Sequence, residues 1–323
     1  MPVLGIESSA HTFGVGVVEA GRVLANEKAM YKITSKGMIP AEVAEHHIES
    51  AAGVIKRALD VSGLRLNDIT GVGYTRGPGL GPCLQIGMLS AKTLAARLGV
   101  PVTLVNHGLA HVEITKRMTG LRDPLALYVS GGNSQILKFD KAAHRYRILG
   151  ETFDIGVGNA IDSLARDMGL EHAWGSEVER LATRGRYVPM PYTVKGMDFA
   201  FSGLLTNAKG LLKKHNREDV CYSFQETAFS MLCEATERAL LLTKSRELCM
   251  CGGVAQNTRL REMLSLVAKD HKTRFAVADG QFNADNGAMI ALVAERQLAR
   301  GAVALDKCDV KQRYRIDEVV YYG

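Results

Sequence analysis

Two histidines one helical turn apart carry the most specific chemistry in the sequence. His107 and His111 lie in Asn106-His-Gly-Leu-Ala-His111, directly after the apolar run Val102-Thr-Leu-Val105. Asn106 is a good helix N-cap, so both imidazoles fall in the first turns of a helix and project from one face, roughly 5–6 Å apart at Cβ. That spacing suits two nitrogens gripping one metal ion, although such pairs also occur on solvated helix faces. A cation at a helix N-terminus opposes the macrodipole, so the site needs an anionic third ligand from elsewhere. Asp285, opening the last major helix in Asp285-Asn-Gly-Ala-Met-Ile-Ala, is the best-placed carboxylate for it, a plain helix cap being its other reading. A His₂–Asp set completed by a phenolate or water would serve Fe(II) and Zn(II) alike, and one divalent ion is expected.

The elements that must position these groups begin with three strands joined by tight turns, Val3–Ile6, Phe13–Val18 and Arg22–Glu27. Between the first two lies the small polar turn Glu7-Ser-Ser-Ala-His-Thr12. Pro40–Leu59 reads as an amphipathic helix whose His46 and His47 suit surface or capping roles. A strand over Ile69–Tyr74 ends in Thr75-Arg-Gly-Pro-Gly-Leu-Gly-Pro82, which is not expected to be helical and could form an anion-binding nest or a hairpin lining a cleft. Gln85–Leu98 is a helix with Gly87 inside it, which points to close packing on a sheet.

After the connection Arg122-Asp-Pro124 the pattern starts again. Strand Leu125–Val129, turn Ser130-Gly-Gly-Asn-Ser134 and strand Gln135–Phe139 form a glycine-rich hairpin, the counterpart of the first polar turn, with amides aimed at a ligand. Tyr128, near the strand's end, could direct its phenol to the core or to the metal. Asp154-Ile-Gly-Val-Gly-Asn-Ala160 leads into a helix over Ile161–Gly169, and Trp174 opens another with Ser176 as N-cap and Glu179 in a capping box or on a ligand hydroxyl. Lys209, Lys213, Lys214, His215 and Arg217 make a basic helix end, suited to the helix dipole and less to nucleic acid. A long helix over Val220–Lys244 precedes strand Glu247–Cys251 and Gly252-Gly-Val-Ala-Gln-Asn257, a cradle in which glycines let a nucleotide approach the backbone.

At 323 residues the chain is long enough for two domains, expected at 1–122, with the tail 300–323 packing back on it, and at 123–299. A hydrophobic share of 46% and a charged share of 23% belong to a soluble globular protein, and a net charge of +6 is compatible with a polyanionic partner without demonstrating one. The six cysteines lack metal or disulfide spacing, and no leader or membrane-spanning run is visible. The expectation is a cytoplasmic protein with no membrane attachment.

Together these motifs resemble one family. Gly5-Ile-Glu-Ser-Ser-Ala-His-Thr, Asn106-His-Gly-Leu-Ala-His111, Tyr128-Val-Ser-Gly-Gly-Asn-Ser134, Gly252-Gly-Val-Ala-Gln-Asn257 and Asp285-Asn-Gly-Ala-Met-Ile-Ala are similar to the TsaD/Gcp/KEOPS tRNA N6-adenosine threonylcarbamoyltransferases, in the right order over nearly the whole chain. Gly158-Asn-Ala-Ile-Asp162 resembles the archaeal and eukaryotic branch. The resemblance implies an α/β, two-lobed actin-like (sugar kinase/Hsp70/actin) fold with ligand in the interdomain cleft. The implied reaction moves a threonylcarbamoyl group from threonylcarbamoyl-AMP to N6 of adenosine 37 in tRNAs reading codons that begin with A. In that branch the enzyme is the catalytic subunit of KEOPS, beside a small atypical protein kinase, a dimerising subunit and a regulatory subunit. Carried over by position, His107, His111, Tyr128 and Asp285 resemble the metal site. Tyr128, Val129, Ser130, Gly131, Gly132, Asp162, Gly175, Glu179, Gly252, Gly253 and Asn257 resemble the contacts to the adenylate or an ATP/AMP-like nucleotide. No general base is assigned. Ala173-Trp-Gly-Ser176, Ala41 and Asn283 depart from the family pattern. The alternatives are a stand-alone actin-like ATPase or kinase and, below it, a metalloprotease. The second would need Glu after the first histidine, where Gly108 stands.

Overall fold

The structure, a computed structural model, describes residues 1–32, 38–170 and 174–322. In chain order its first elements are β1 (Val3–Glu7), β2 (Thr12–Glu19), β3 (Arg22–Met30), α1 (Pro40–Ser62), β4 (Gly71–Gly77), α2 (Gly81–Leu98), β5 (Val102–Asn106) and α3 (His107–Thr119). Next come β6 (Leu125–Val129), β7 (Ser134–Asp140), β8 (Arg145–Glu151), α4 (Val157–Asp167) and α5 (Gly175–Ala182). The short strands β9 (Val194–Lys195) and β10 (Asp198–Phe199) precede α6 (Ser202–Leu211) and α7 (Arg217–Thr243). β11 (Glu247–Cys251), α8 (Thr258–Asp270), β12 (Arg274–Val277), α9 (Gly280–Asn283) and α10 (Gly287–Leu298) complete the order. No helix among the described residues is long and apolar enough to cross a membrane.

The chain divides into two compact units, one of residues 1–118, 140–146 and 279–323, the other of 119–139 and 147–278. The first holds a five-stranded sheet in the order β3-β2-β1-β4-β5. β1, β2 and β3 are antiparallel neighbours, and β4 and β5 run parallel to β1. The second unit repeats the plan in the order β8-β7-β6-β11-β12, with β7 antiparallel to β6 and with β11 and β12 parallel to it. Two mixed sheets of one topology, each packed with helices, make this an α/β fold of the actin-like kind.

In the first unit the faces of the sheet are sharply different. Leu4, Ile6, Phe13, Val15 and Val17 point to one side and form a core with Val54 and Ala58 of α1 and Ala91 and Ala95 of α2. On the opposite side, where α10 lies, the strands present glycines. A Cβ on Gly5 would stand 2.1 Å from Ala291 N, one on Gly16 2.2 Å from Ala288 N, and one on Gly73 2.3 Å from the Ala294 Cβ. α10, with Gly287, Ala288, Ala291 and Ala294 facing the strands, therefore lies directly on the sheet backbone. In the second unit α7 is buried along most of its length, with Phe224, Phe229, Met231 and Leu232 in a core shared with α4, α6 and β6.

Several elements differ from the sequence expectation. The stretch 279–299, expected in the second lobe, belongs to the first unit because α10's small residues fit the glycine face. The run after Tyr74 is not all loop: β4 continues to Gly77, and α2 starts at Gly81 with Pro82 in its first turn, where a missing N–H costs nothing. β8 was not anticipated from its polar edge-strand alternation. The loop residue Ala173 lies outside the described residues.

The glycine face makes a direct prediction. Gly16→Val should drive α10 off the sheet at a cost of about 3 kcal/mol or more, the upper range for overpacking. Thermal melts of this variant and of wild type, run with and without added Co(II), check it; an unchanged melting temperature would contradict the packing.

Candidate functional site

The donor set is assembled by helix ends in the first unit. Asn106 closes β5 and caps α3, its Oδ1 accepting the Leu109 N–H at 2.9 Å, so His107 and His111 share one face as expected. Asn286 caps α10 by accepting from Met289 N at 2.9 Å, and this releases Asp285, one residue outside the helix, from any capping duty. The outcome is a triangle. His107 Nε2 and His111 Nε2 are 3.2 Å apart, and Asp285 Oδ1 lies 3.2 Å from His111 Nε2 and 3.4 Å from His107 Nε2.

Donors bound to one tetrahedral ion at 2.0–2.1 Å stand about 3.3–3.4 Å from each other, so the triangle already has the spacing of a ligand set. His107, His111 and Asp285 are the group among the described residues able to hold an ion in this way. Charge agrees with geometry. Burial opposes ionisation of Asp285, but the imidazoles of His107 and His111 outweigh it and hold the carboxyl well below the carboxylate range. Glu7, fully buried, is also lowered, with burial opposed chiefly by His107. Burial lowers the His111 pKa, against the opposing pull of Asp285 and Glu7. Two buried carboxylates facing imidazoles carry the charge that one divalent cation would balance.

Glu7 is the residue that sequence reading missed. The last residue of β1, it sits 100 positions from His107, yet its Oε2 accepts from His107 Nδ1 at 3.0 Å. An acidic residue ending an apolar central strand was the available signal. The turn that follows is pinned by His47, which is buried and donates from Nε2 to the Ala10 carbonyl at 2.9 Å, not a surface histidine as expected. Burial lowers its pKa to about 4. The Gly-Pro run is no open anion nest either: Leu80 N–H donates to the Ser9 carbonyl and Gly79 N–H to that of Gln312.

In the second unit Tyr128 to Gly132 and Gly252–Gly253, among the expected adenylate residues, lie at the ends of β6 and β11. Gly252 has φ +94°, and a Cβ there would stand 2.2 Å from the Val129 carbonyl and 3.3 Å from the Tyr128 ring. Only glycine allows this approach, which brings Gly252 against Tyr128 and Val129. Cβ atoms on Gly253 and Gly132 would meet nothing within 4 Å, whereas one on Gly131 would touch Asn159. Ser130 and Gly131 give their carbonyls to Gly158 N and Asn159 N, so the first turn of α4 is spent on the hairpin. A short 3-10 turn, Gly253–Gln256, separates the glycines from α8. Asn257 caps α8 through Leu260 N and donates to Gln225 Oε1 at 3.1 Å.

Other readings in this unit change. Ser176 is not an N-cap and Glu179 closes no capping box; α5 starts at Gly175 after Trp174, and Glu179 accepts from Thr258 N at 2.8 Å. Glu179 and Asn257 thus meet at the start of α8. Asp162 accepts from the Gly175 N–H, bringing those two together. Lys213, Lys214 and His215 lie on the exposed turn between α6 and α7, and Lys209 pairs with Asp167 at 2.7 Å.

A family profile described as TsaD: tRNA N6-adenosine threonylcarbamoyltransferase matches residues 21–292. A curated relative of that description from Thermococcus sibiricus is 46% identical over 323 residues, covering 99% of each chain. The chain belongs to the TsaD family. A second relative of that description, from Thermococcus kodakarensis, is also 46% identical, over 99% of this chain and 98% of its own. A Thermoplasma volcanium protein described as a probable bifunctional tRNA threonylcarbamoyladenosine biosynthesis protein is 45% identical, with 61% of its length covered. Two solved structures share the fold: component A of the Acidaminococcus fermentans (R)-2-hydroxyglutaryl-CoA dehydratase (TM-score 0.59, 14% identity, 93% and 99% of the two chains covered) and T. kodakarensis HypF (TM-score 0.63, 13% identity, 90% and 46% covered).

TsaD membership leaves no place for a peptidase reading, and the structure supplies the physical reason. Glu113, the nearest acid on α3, is buried and accepts from Lys116 Nζ, the Tyr146 hydroxyl and Arg296 Nη1, each at 2.6 Å. A carboxylate held by three such donors is a structural tie, not a general base.

Asp162 gives a pH-dependent prediction. Burial pushes its carboxyl up from 3.8 to about 6, against the lesser pull of Arg166 and the Gly175 N–H. A carboxyl whose pKa is higher folded than unfolded supports the fold at low pH and withdraws that support as pH rises through the folded pKa. The shift corresponds to on the order of 2–3 kcal/mol. Asp162→Asn should therefore raise the melting temperature at neutral pH and flatten the stability profile between about pH 4 and 6, as denaturant titrations would show.

Proposed function

We propose that this chain transfers the threonylcarbamoyl group of threonylcarbamoyl-AMP to N6 of an adenosine beside the tRNA anticodon, adenosine 37 in tRNAs reading codons that begin with A. The near full-length TsaD relatives carry the reading, and the His107–His111–Asp285 triangle supports it from within the chain. His107, His111 and Asp285 would hold one divalent ion, Fe(II) ahead of Zn(II). Tyr128 joins them as a fourth ligand on the family resemblance alone. When bound, the ion would supply Lewis-acid polarisation or orientation of an acyl phosphate.

The chain's own residues do the remaining work. Gly252 and Gly253 form the adenylate cradle, Gly252 because its backbone must lie against Val129, Gly253 because the space above it is open. Val129, Ser130, Gly131 and Gly132 line the same cradle. Asp162, with Gly175, and Glu179, with Asn257, take the sugar. The reading is supported by the contact of Gly252 with Val129, of Asp162 with the Gly175 N–H and of Glu179 with the Thr258 N–H. The reacting base lies in a single-stranded loop, where RNA bases are accessible to a protein.

We assign the chain to the cytoplasm, where its six thiols, all free and buried, stay reduced. It acts as the catalytic subunit of KEOPS, with the small atypical kinase, the dimerising subunit and the regulatory subunit. Relatives in which its counterpart fills about three fifths of a bifunctional biosynthesis protein support a second activity working beside it.

His111→Ala should abolish Co(II) binding and lower transfer at least about a hundredfold with the fold intact by circular dichroism; full metal occupancy in that variant would overturn the metal assignment. Gly253→Val, at a position where a side chain meets no protein atom, should weaken AMP-analogue binding at least about tenfold with little change in melting temperature. Calorimetry decides it, an unchanged affinity removing the cradle. Transfer to tRNA assayed with the chain alone and with the KEOPS subunits added tests the partners: equal rates would remove them from the proposal.

A further inference from the structure

We propose that Glu7 is the positioning residue of the metal centre, holding His107 with Nδ1 protonated so that Nε2 presents its lone pair to the ion; the inference rests on the metal reading above. Two of the three donors are fixed by their own elements, His111 by full burial within α3 and Asp285 by its place before α10. His107, the first residue of α3, has a ring whose two nitrogens face different groups. Nε2 faces His111 and Asp285, and Nδ1 faces Glu7 Oε2 at 3.0 Å. A carboxylate only accepts, so the nitrogen it faces carries the hydrogen and the other is left free to ligate. An ionised acceptor behind the ring also makes the opposite nitrogen a better donor to a metal.

Glu7 is held rigidly enough to set a ring. Its Oε1 accepts the Ser9 N–H at 2.6 Å, and its Oε2 accepts the Thr75 hydroxyl at 2.7 Å beside the His107 bond. Alternation along β1 puts Glu7 on the same face as Gly5, the face on which α10 rests. One strand therefore places Glu7 and supports the helix that follows Asp285, and the two carboxylates reach the imidazole pair from a common base.

A residue that merely pins the turn would change stability and leave metal affinity alone. Titration of metal-free protein with Co(II), followed by the visible absorption of the bound ion, separates the two roles. Glu7→Gln keeps the size and removes the charge; it should weaken Co(II) binding 10–100-fold, the usual effect of losing such a partner. Thr75→Val, which removes a different hydrogen bond to the same oxygen, should change it less than about threefold. Wild-type affinity in a folded Glu7→Gln protein overturns the proposal while leaving the metal site standing. Failure of wild type to bind Co(II), or binding by His111→Ala equal to wild type, overturns the metal reading itself. Should Glu7→Gln not fold, the ¹⁵N spectrum of histidine-labelled wild-type protein with Zn(II) decides: a protonated Nδ1 and a metal-shifted Nε2 on His107 are expected, and Zn(II) on Nδ1 overturns the proposal.

Discussion

The contact of α10 with bare strand backbone is the constraint on which the first unit depends. Helices ordinarily rest on sheets through side chains, which keep the backbones well apart. Here Gly5, Gly14, Gly16 and Gly73 remove that layer, and alanines and a glycine on the helix remove the opposing one. The gain is position. A helix lying on main chain has little room to slide or rotate, so the residue preceding it, Asp285, is delivered to a fixed point. The same close packing holds where α2 crosses β1: a Cβ on Gly87 would strike the Ser8 hydroxyl at 2.1 Å, locking the turn after Glu7.

The second physical theme is buried charge. Glu7, Asp285, His107 and His111 form a cluster of two acids and two bases with little exposure, and each member faces another at 3.0–3.4 Å. Burying such charges is costly unless every one is paired, and no apolar replacement would do the same work. A second buried network stands on the same helix. Glu113 holds Lys116, Tyr146 and Arg296, and the Tyr321 hydroxyl donates to Glu113 and accepts from Arg296 Nη1. α3 is thus tied at its start through metal-site residues and further along through Glu113.

Much of this was legible from spacing. The histidine pair, the cap at Asn106, the need for an acid and the choice of Asp285 follow from helix geometry and local charge, and the structure brings them together. In Asp285-Asn286 the alternative reading, Asp285 as a plain cap, falls away: Asn286 caps the helix, and for that reason Asp285 is available. Glu7 was illegible because nothing local links it to a histidine 100 residues later. Glu179 looked like a capping-box residue because that pattern is local, and its actual partner, the Thr258 amide, is 79 residues away. The repeated strand order was visible only as two similar glycine and serine turns, since the parallel pairing of β4 and β11 depends on long-range register.

The path of the chain through the two units bears on how the molecule is made. Residues 119–139 and 147–278 form the second unit, inserted within a first unit that returns briefly at 140–146 and resumes at 279. During synthesis the second unit has its whole sequence before the first has its closing helix. Until then β1–β5 have an uncovered glycine face, and α3 carries two histidines with no third ligand. The Asn106 side-chain amide that steadies the start of α3 donates to the carbonyl of Tyr314, later still. A nascent chain that has not yet reached residue 285 therefore holds His107 and His111 without the Asp285 carboxylate that completes the triangle.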